Sequence, residues 1–302
     1  MTGGRTLATG LHFPEGPVAR PGGELLVVEI LTGWITKVTA SGDVERLVRV
    51  GGGPNGLAIG PDGRGYVCNN GGMPASAAAE LGLPVGETPS SRITPCVQAV
   101  DFGTGKVETL YESCDGWALQ APNDLVFDAD GGFYFTDFGT RGRRARTRGR
   151  VLYARPDGNA IREVIGPIDE PNGVGLSPDG RTLYVAQTES ARLWAFELDG
   201  PGVARTRPGP GLGGRLLFAC PDLRWFDSLA VEADGNVCVG TLLQGAITVV
   251  SAGGGLVEQI PLDDPLPTNL CFGGEDGRTA YVTCSASGTI LAIPWRRPGL
   301  VR

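Results

Sequence analysis

The chain has 302 residues, 41% of them hydrophobic, enough to bury a sizeable core. A formal net charge of −7 argues against nucleic acid or an anionic membrane as the main partner. With 49 glycines and 23 prolines it reads as many short strands joined by tight turns, and one domain over 1–302 is expected because large all-β folds run to this length.

The N-terminus, Met1-Thr2-Gly3-Gly4-Arg5, lacks the apolar stretch of a signal peptide, and no run of 18 apolar residues follows, so a cytoplasmic protein without a membrane span is expected. The first patterned stretch is Phe13-Pro14-Glu15-Gly16-Pro17-Val18-Ala19. Its pattern returns at Pro54-Asn55-Gly56-Leu57, Pro122-Asn123-Asp124-Leu125, Pro171-Asn172-Gly173-Val174, Phe226-Asp227-Ser228-Leu229 and Thr268-Asn269-Leu270-Cys271. Eight residues after each carboxylate or amide stands a glycine: Gly23, Gly63, Gly131, Gly180, Gly235 and Gly277. A β-rich run follows each: Leu25–Val28, Gly65–Cys68, Phe133–Thr136, Thr182–Ala186, Val237–Thr241 and Thr279–Thr283. Most of these glycines follow an Asp, as tight hairpins with positive φ require.

Glycine intervals of 40, 68, 49, 55 and 42 residues make this one hairpin repeated six times. Repetition at that period predicts an all-β, six-bladed β-propeller with four-stranded antiparallel blades around a central channel. The six polar residues begin the innermost strands, so Glu15, Asn55, Asn123, Asn172, Asp227 and Asn269 should converge on the channel. Ring closure is expected from Thr6–His12 pairing outside Thr289–Ile293. The tail Trp295–Arg302 is assigned no function.

Two insertions interrupt the repeat, about 69–94 and 138–149, each after the second strand of its blade. Both should emerge on the face where the polar residues converge. The first contains a candidate helical turn at Ser76–Leu81. The second carries Arg141, Arg143, Arg144, Arg146 and Arg148, either a solvated loop or a contact for an anionic substrate group.

The seven cysteines form no CxxC pair and read as free thiols; Cys68, Cys238, Cys271 and Cys284 fall inside expected strands as small core residues, while Cys96, Cys114 and Cys220 are not placed by the pattern. His12 is the one histidine, so any Ser-His-Asp or Cys-His arrangement would depend on it, and no Gly-x-Ser-x-Gly elbow is present. A structural role suits it better. Two carboxylates and up to four amides instead make an all-oxygen cluster. Such donors suit one hard divalent cation: Ca²⁺ fits best, with Mg²⁺, Mn²⁺ or Fe²⁺ as alternatives. A cation would also offset the mutual repulsion of Glu15 and Asp227. No organic cofactor is required.

The ordered set of Phe13-Pro14-Glu15-Gly16-Pro17, Pro122-Asn123-Asp124, Pro171-Asn172-Gly173 and Asp227 resembles the SMP-30/gluconolactonase/LRE-like hydrolases, a group also similar to calcium-dependent fluorophosphatases. The resemblance covers about Leu11 to Ile293. It implies a metal-dependent opening of a lactone or related cyclic ester. Glu15, Asn172 and Asp227 would be core metal ligands, with Asn123 a further ligand or a substrate contact, and Asp227 the catalytic base or nucleophile. Asn55, Asn123 and Asn269 would stabilise charge on the carbonyl oxygen. Where sugar-lactonase members carry an arginine, two positions before the blade-three Asn, this chain has Ala121. Nearby Trp117, Leu119, Phe138, Trp225, Phe226 and Leu242 suggest a hydrophobic pocket, with Trp117 and Phe138 as substrate contacts. Three alternatives stand beside this reading. One is a phosphotriester or P–F hydrolase using the same metal site, and another a non-catalytic Ca²⁺-binding propeller module. The third is a metal-free condensing enzyme resembling strictosidine synthase. The oligomeric state is left open.

Overall fold

The computed structural model describes residues 3–73, 90–142, 144–205 and 211–301. The candidate turn at Ser76–Leu81 and residue Arg143 lie outside the described residues. Among those described there is no α-helix, only a 3-10 turn at Pro21–Gly23.

Strand β1 (Arg5–Ala8) is set aside for closure. Blade 1 comprises β2 (Pro14–Ala19), β3 (Leu25–Glu29), β4 (Trp34–Val38) and β5 (Val44–Arg49). Blade 2 follows with β6 (Pro54–Ile59), β7 (Gly65–Asn69), β8 (Cys96–Val100) and β9 (Val107–Tyr111). A small hairpin, β10 (Ser113–Cys114) and β11 (Trp117–Ala118), leads into blade 3: β12 (Pro122–Phe127), β13 (Phe133–Asp137), β14 (Gly149–Ala154) and β15 (Ile161–Ile168). Blade 4 is β16 (Pro171–Leu176), β17 (Thr182–Gln187), β18 (Arg192–Gly200) and β20 (Arg215–Ala219), with the two-residue β19 (Val203–Ala204) beside the end of β18. Blade 5 is β21 (Trp225–Val231), β22 (Val237–Leu242), β23 (Ala246–Val250) and β24 (Leu256–Pro261). Blade 6 is β25 (Pro267–Gly273), β26 (Thr279–Cys284) and β27 (Thr289–Pro294), completed by β1.

The fold is therefore the expected six-bladed propeller. Inner strands β2, β6, β12, β16, β21 and β25 each contact the next, and β25 returns to β2. Closure by the N-terminal strand is also as expected, but it is shorter. Pairing of β1 with β27 runs only from Arg5↔Ala292 to Ala8↔Ile290. Beyond it the chain turns at Gly10, whose φ is +79°, and the Leu11 amide bonds to Gly288 O at 3.0 Å, steering it toward blade 1.

Burial follows strand position. Second strands such as β3 (Leu-Leu-Val-Val-Glu) are buried along their whole length, because a blade lies against each face. The outermost β24 alternates between exposed and half-buried, as an edge should. Six apolar clusters result, one between each pair of neighbouring blades. At about 1.5–3 kcal/mol per buried large apolar side chain, these interfaces hold the blades in place. Any single hydrogen bond at the channel contributes less.

Candidate metal centre and active site

Four residues before the last hairpin pair of each blade lie Glu15, Asn55, Asn123, Asn172, Asp227 and Asn269. Next to this point in all six blades, just before it in blade 6 and at or just after it in the others, the inner strand slips by one residue against its partner. A β-bulge of this kind bends the strand and re-aims a side chain. All six side chains are buried, none more than 9% exposed. The glycine that follows in three of the motifs has a steric cause. A Cβ on Gly56 would stand 2.5 Å from Asn123 O, and one on Gly173 would stand 2.7 Å from Leu229 N. Only glycine lets adjacent inner strands approach so closely.

The polar residues interact across blades. Glu15 Oε2 accepts from the Gly16 amide at 2.9 Å and from Asn269 Nδ2 at 3.0 Å. Asn172 Nδ2 donates to Thr188 Oγ1 at 3.1 Å, and Ser228 Oγ donates to Asn172 Oδ1 at 3.5 Å. Burial drives the Glu15 carboxyl above its usual range. Asp227 is driven well above its ordinary value, by burial first and then by the charges of Glu15 and Asp124, with hydrogen bonds from Asn172 and the Ser228 amide acting the other way. Carboxylates from blades 1, 3 and 5 thus sense one another across the channel. Asn123 Oδ1, buried among them, has no hydrogen-bond partner. A buried oxygen is rarely left without a partner. Among the described residues no three of His, Cys, Asp and Glu form a ready cation cage, so amide oxygens must complete any ligand set. Two buried carboxylates and an unpartnered amide oxygen fit a hard cation.

The surroundings divide into walls and core. Phe138 is half-buried and its amide bonds to Ala121 O at 3.0 Å, beside the ring motif of blade 3. Trp117 is 72% exposed on the β10–β11 hairpin, outside the buried ring. Leu119 and Phe226, grouped with the pocket candidates by sequence, instead pack into the cores between blades 2 and 3 and between blades 4 and 5. Within 138–149, Thr140 and Thr147 bond to each other, and Arg141 bridges to Arg146, drawing the two sides of the insertion together. Three of its arginines are held in ion pairs. Arg141 and Arg146 both pair with Glu170 and Glu189, and Arg141 stacks on Trp225 at 4.5 Å. Arg148 pairs with Asp169 at 2.9 Å. His12 Nδ1 lies 3.0 Å from Glu29 Oε2, a structural contact. The cysteines are free, and burial raises Cys68, Cys96, Cys238, Cys271 and Cys284, so they stay protonated.

Below the ring the channel continues as a cavity of about 220 Å³, with Leu300 and Val301 among its walls. Of the six ring residues it touches only Asn269, so the substrate is not assigned to it.

Residues 13–286 match the model of the SMP-30/Gluconolactonase/LRE-like region. The chain belongs to this family. It is 28% identical over 263 residues to lactonase drp35 of Staphylococcus epidermidis, a match covering 86% of this chain and 70% of that one. Against the same lactonase of Staphylococcus haemolyticus the match reaches 35% identity but spans only 41% of the relative's length. Among solved structures, a gluconolactonase of Xanthomonas campestris superposes with a TM-score of 0.75 at 22% identity, over 96% of this chain and 88% of that one. At this identity the likeness establishes the propeller fold.

Within this family member, sequence reading passed over two features. Asp124, next to Asn123, is buried and its carboxyl is pushed up to about 7 by burial and by Glu15. Its place in the Pro122-Asn123-Asp124 motif was visible, but the bulge that brings it inward was not. A second polar ring sits four residues after each hairpin pair: Glu29, Asn69, Asp137, Gln187, Thr241 and Thr283, all buried. In several blades it ties the incoming loop to the blade. Asn69 Oδ1 accepts from the Gly53 amide, and Asp137 accepts from the amides of Gln120 and Ala121. A polar residue six positions after the glycine in five of the six repeats, and seven after Gly180 in the other, was the available signal.

Proposed function

We propose that this chain is a hydrolase that opens a lactone or related cyclic ester to a hydroxy acid, with the channel ring holding one divalent cation, Ca²⁺ first. The observation that carries this reading is the buried, unpartnered Asn123 Oδ1 beside two buried carboxylates that resist ionising together. Glu15, Asn172 and Asp227 would hold the cation, with Asn123 Oδ1 as the fourth donor. When bound, such a cation supplies Lewis-acid polarisation of the substrate carbonyl. Asp227 takes a proton from water as the water oxygen bonds to the carbonyl carbon. The ring C–O bond then breaks, and the departing alkoxide takes the proton back to give the hydroxy acid. Asn55 contributes an amide donor toward the carbonyl oxygen.

The lactonase name of the staphylococcal relatives supports the reaction class. Family membership supports the metal site. The pairing of Arg141 and Arg146 with glutamates, together with Ala121, favours an uncharged and fairly apolar lactone.

The test is acid release by pH-stat on sugar, aliphatic and aryl lactones, with protein stripped of metal and reloaded with Ca²⁺, Mg²⁺, Mn²⁺ or Fe²⁺. Ring opening restored by metal is expected. Cation binding with silence across all lactones would move the assignment to phosphotriesters or to a non-catalytic module.

A further inference from the structure

We propose that Asn269 is a positioning residue for Glu15 and not a substrate contact, an inference that rests on the cation reading of the ring. Both ends of its amide are engaged at short range. Nδ2 donates to Glu15 Oε2 at 3.0 Å, and Oδ1 accepts from the Leu270 amide at 2.7 Å. The other amides of the ring differ. Asn123 Oδ1 is unpartnered, and the contact to Asn172 Oδ1, from Ser228, is long at 3.5 Å. Those two oxygens remain available to a ligand, while the Asn269 amide is held at both ends, its nitrogen on Glu15 and its oxygen on the Leu270 amide, which fixes its orientation toward Glu15.

The backbone around Asn269 is held as firmly. Its amide donates to Thr283 Oγ1 at 2.9 Å, and Thr283 Oγ1 lies 3.0 Å from Thr268 Oγ1. Thr268 Oγ1 is 2.7 Å from Ser285 Oγ, which donates to Pro14 O at 2.7 Å. Pro14 directly precedes Glu15. A buried hydroxyl chain thus fixes the donor, Asn269, and the backbone of the acceptor, Glu15, across the seam where the last blade meets the first. The partners are 254 residues apart in sequence, so ring closure itself sets the angle of the Glu15 carboxylate. Groups that orient a metal ligand in this way alter affinity for the cation before they alter contact with substrate.

The experiment titrates Ca²⁺ by calorimetry into metal-stripped wild type and Asn269→Ala, alongside the Ca²⁺ dependence of lactone turnover. The expected result is a Ca²⁺ Kd weakened by about 10- to 100-fold. The Ca²⁺ concentration for half-maximal turnover should move in parallel, while KM for the lactone at saturating Ca²⁺ does not follow. Asn269→Ser, which keeps a polar side chain at the bulge but cannot reach Glu15, serves if the alanine variant does not fold. A wild-type Kd with a raised KM would make Asn269 a substrate contact and overturn the inference while leaving the proposed reaction intact. Failure of the wild type itself to take up Ca²⁺ would instead remove the cation reading and this inference with it.

Discussion

Asp227 stands where burial and two neighbouring carboxylates act against its charge, outweighing the hydrogen bonds from Asn172 and the Ser228 amide that favour it. A carboxylate so placed is a stronger base than a solvated one, which suits proton transfer from water. Asp227→Asn keeps the shape and removes the base. Its turnover should fall at least about 100-fold with an unchanged circular dichroism spectrum, and wild-type rates would take Asp227 out of the catalytic role. Asn55→Ala, losing one neutral hydrogen bond, should cost roughly five- to tenfold in kcat/KM. At this scale the inner ring was legible because its six members precede a glycine by a constant eight residues. The outer ring was not. Glu29, Asn69, Asp137 and Gln187 look like polar residues ending an apolar run, so each strand was expected to stop one residue early. They extend the strands because their side chains bond to the loop entering the blade or to neighbouring strands.

The Arg-rich hairpin shows the limit of composition as a guide to an element. Five arginines in a row of twelve residues suggest an anion site. The carboxylate partners of Arg141 and Arg146, Glu170 and Glu189, however, come from the loops flanking the first two strands of the next blade, a proximity no local pattern encodes. Because Glu189 and the arginines are about a third or more exposed, the network should add less than about 1 kcal/mol to global stability. Its effect should be local. Glu189→Ala is expected to leave the urea midpoint nearly unchanged while limited trypsin digestion cuts within 138–149 several times faster, roughly as expected when a local opening loses about 1 kcal/mol. Equal cutting rates would show that the hairpin is held by other contacts.

The C-terminal segment behaves differently because its anchor is buried. Trp295 Nε1 and Arg297 both donate to Glu232, and Leu300 N bonds to Val231 O at 2.8 Å, strapping the segment beneath blades 5 and 6. Burial alone would raise the Glu232 carboxyl, but hydrogen bonds from Arg297, Asn236 and Trp295 outweigh it and hold the group below its ordinary value near 4.5. A depressed acid contributes stability that is present above the unfolded value and lost as pH falls through the folded one. Glu232→Gln should therefore be less stable than wild type by about 1.5–3 kcal/mol at pH 7. The gap should narrow as urea titrations move below pH 4.5. A gap independent of pH would mean that the charge of Glu232 does not matter.

For the molecule as a whole, the period of the hairpin was enough to foresee the propeller, since a blade cannot bury both faces of its second strand without neighbours. The convergence of the six polar residues is a consequence of that closure, and so is its electrostatic strain. Apolar clusters between blades hold Glu15, Asp124 and Asp227 together although each resists the charge of the others. A cation that binds the closed ring has no equivalent site in the unfolded chain, because the ligands come from separate blades. Its binding energy should appear in full as folding stability. At free Ca²⁺ one hundred times its Kd, the gain is about 2.7 kcal/mol, which for 302 residues corresponds to a rise of about 4 °C in Tm. Differential scanning calorimetry with and without Ca²⁺ measures this directly. Glu15→Gln should remove most of the rise, because it takes away a ligand charge while relieving the repulsion that the cation offsets. A Ca²⁺-dependent rise in Tm without lactone turnover would mean that the ring serves to hold the blades together. A rise lost in Glu15→Gln together with turnover would tie both properties to the same carboxylate.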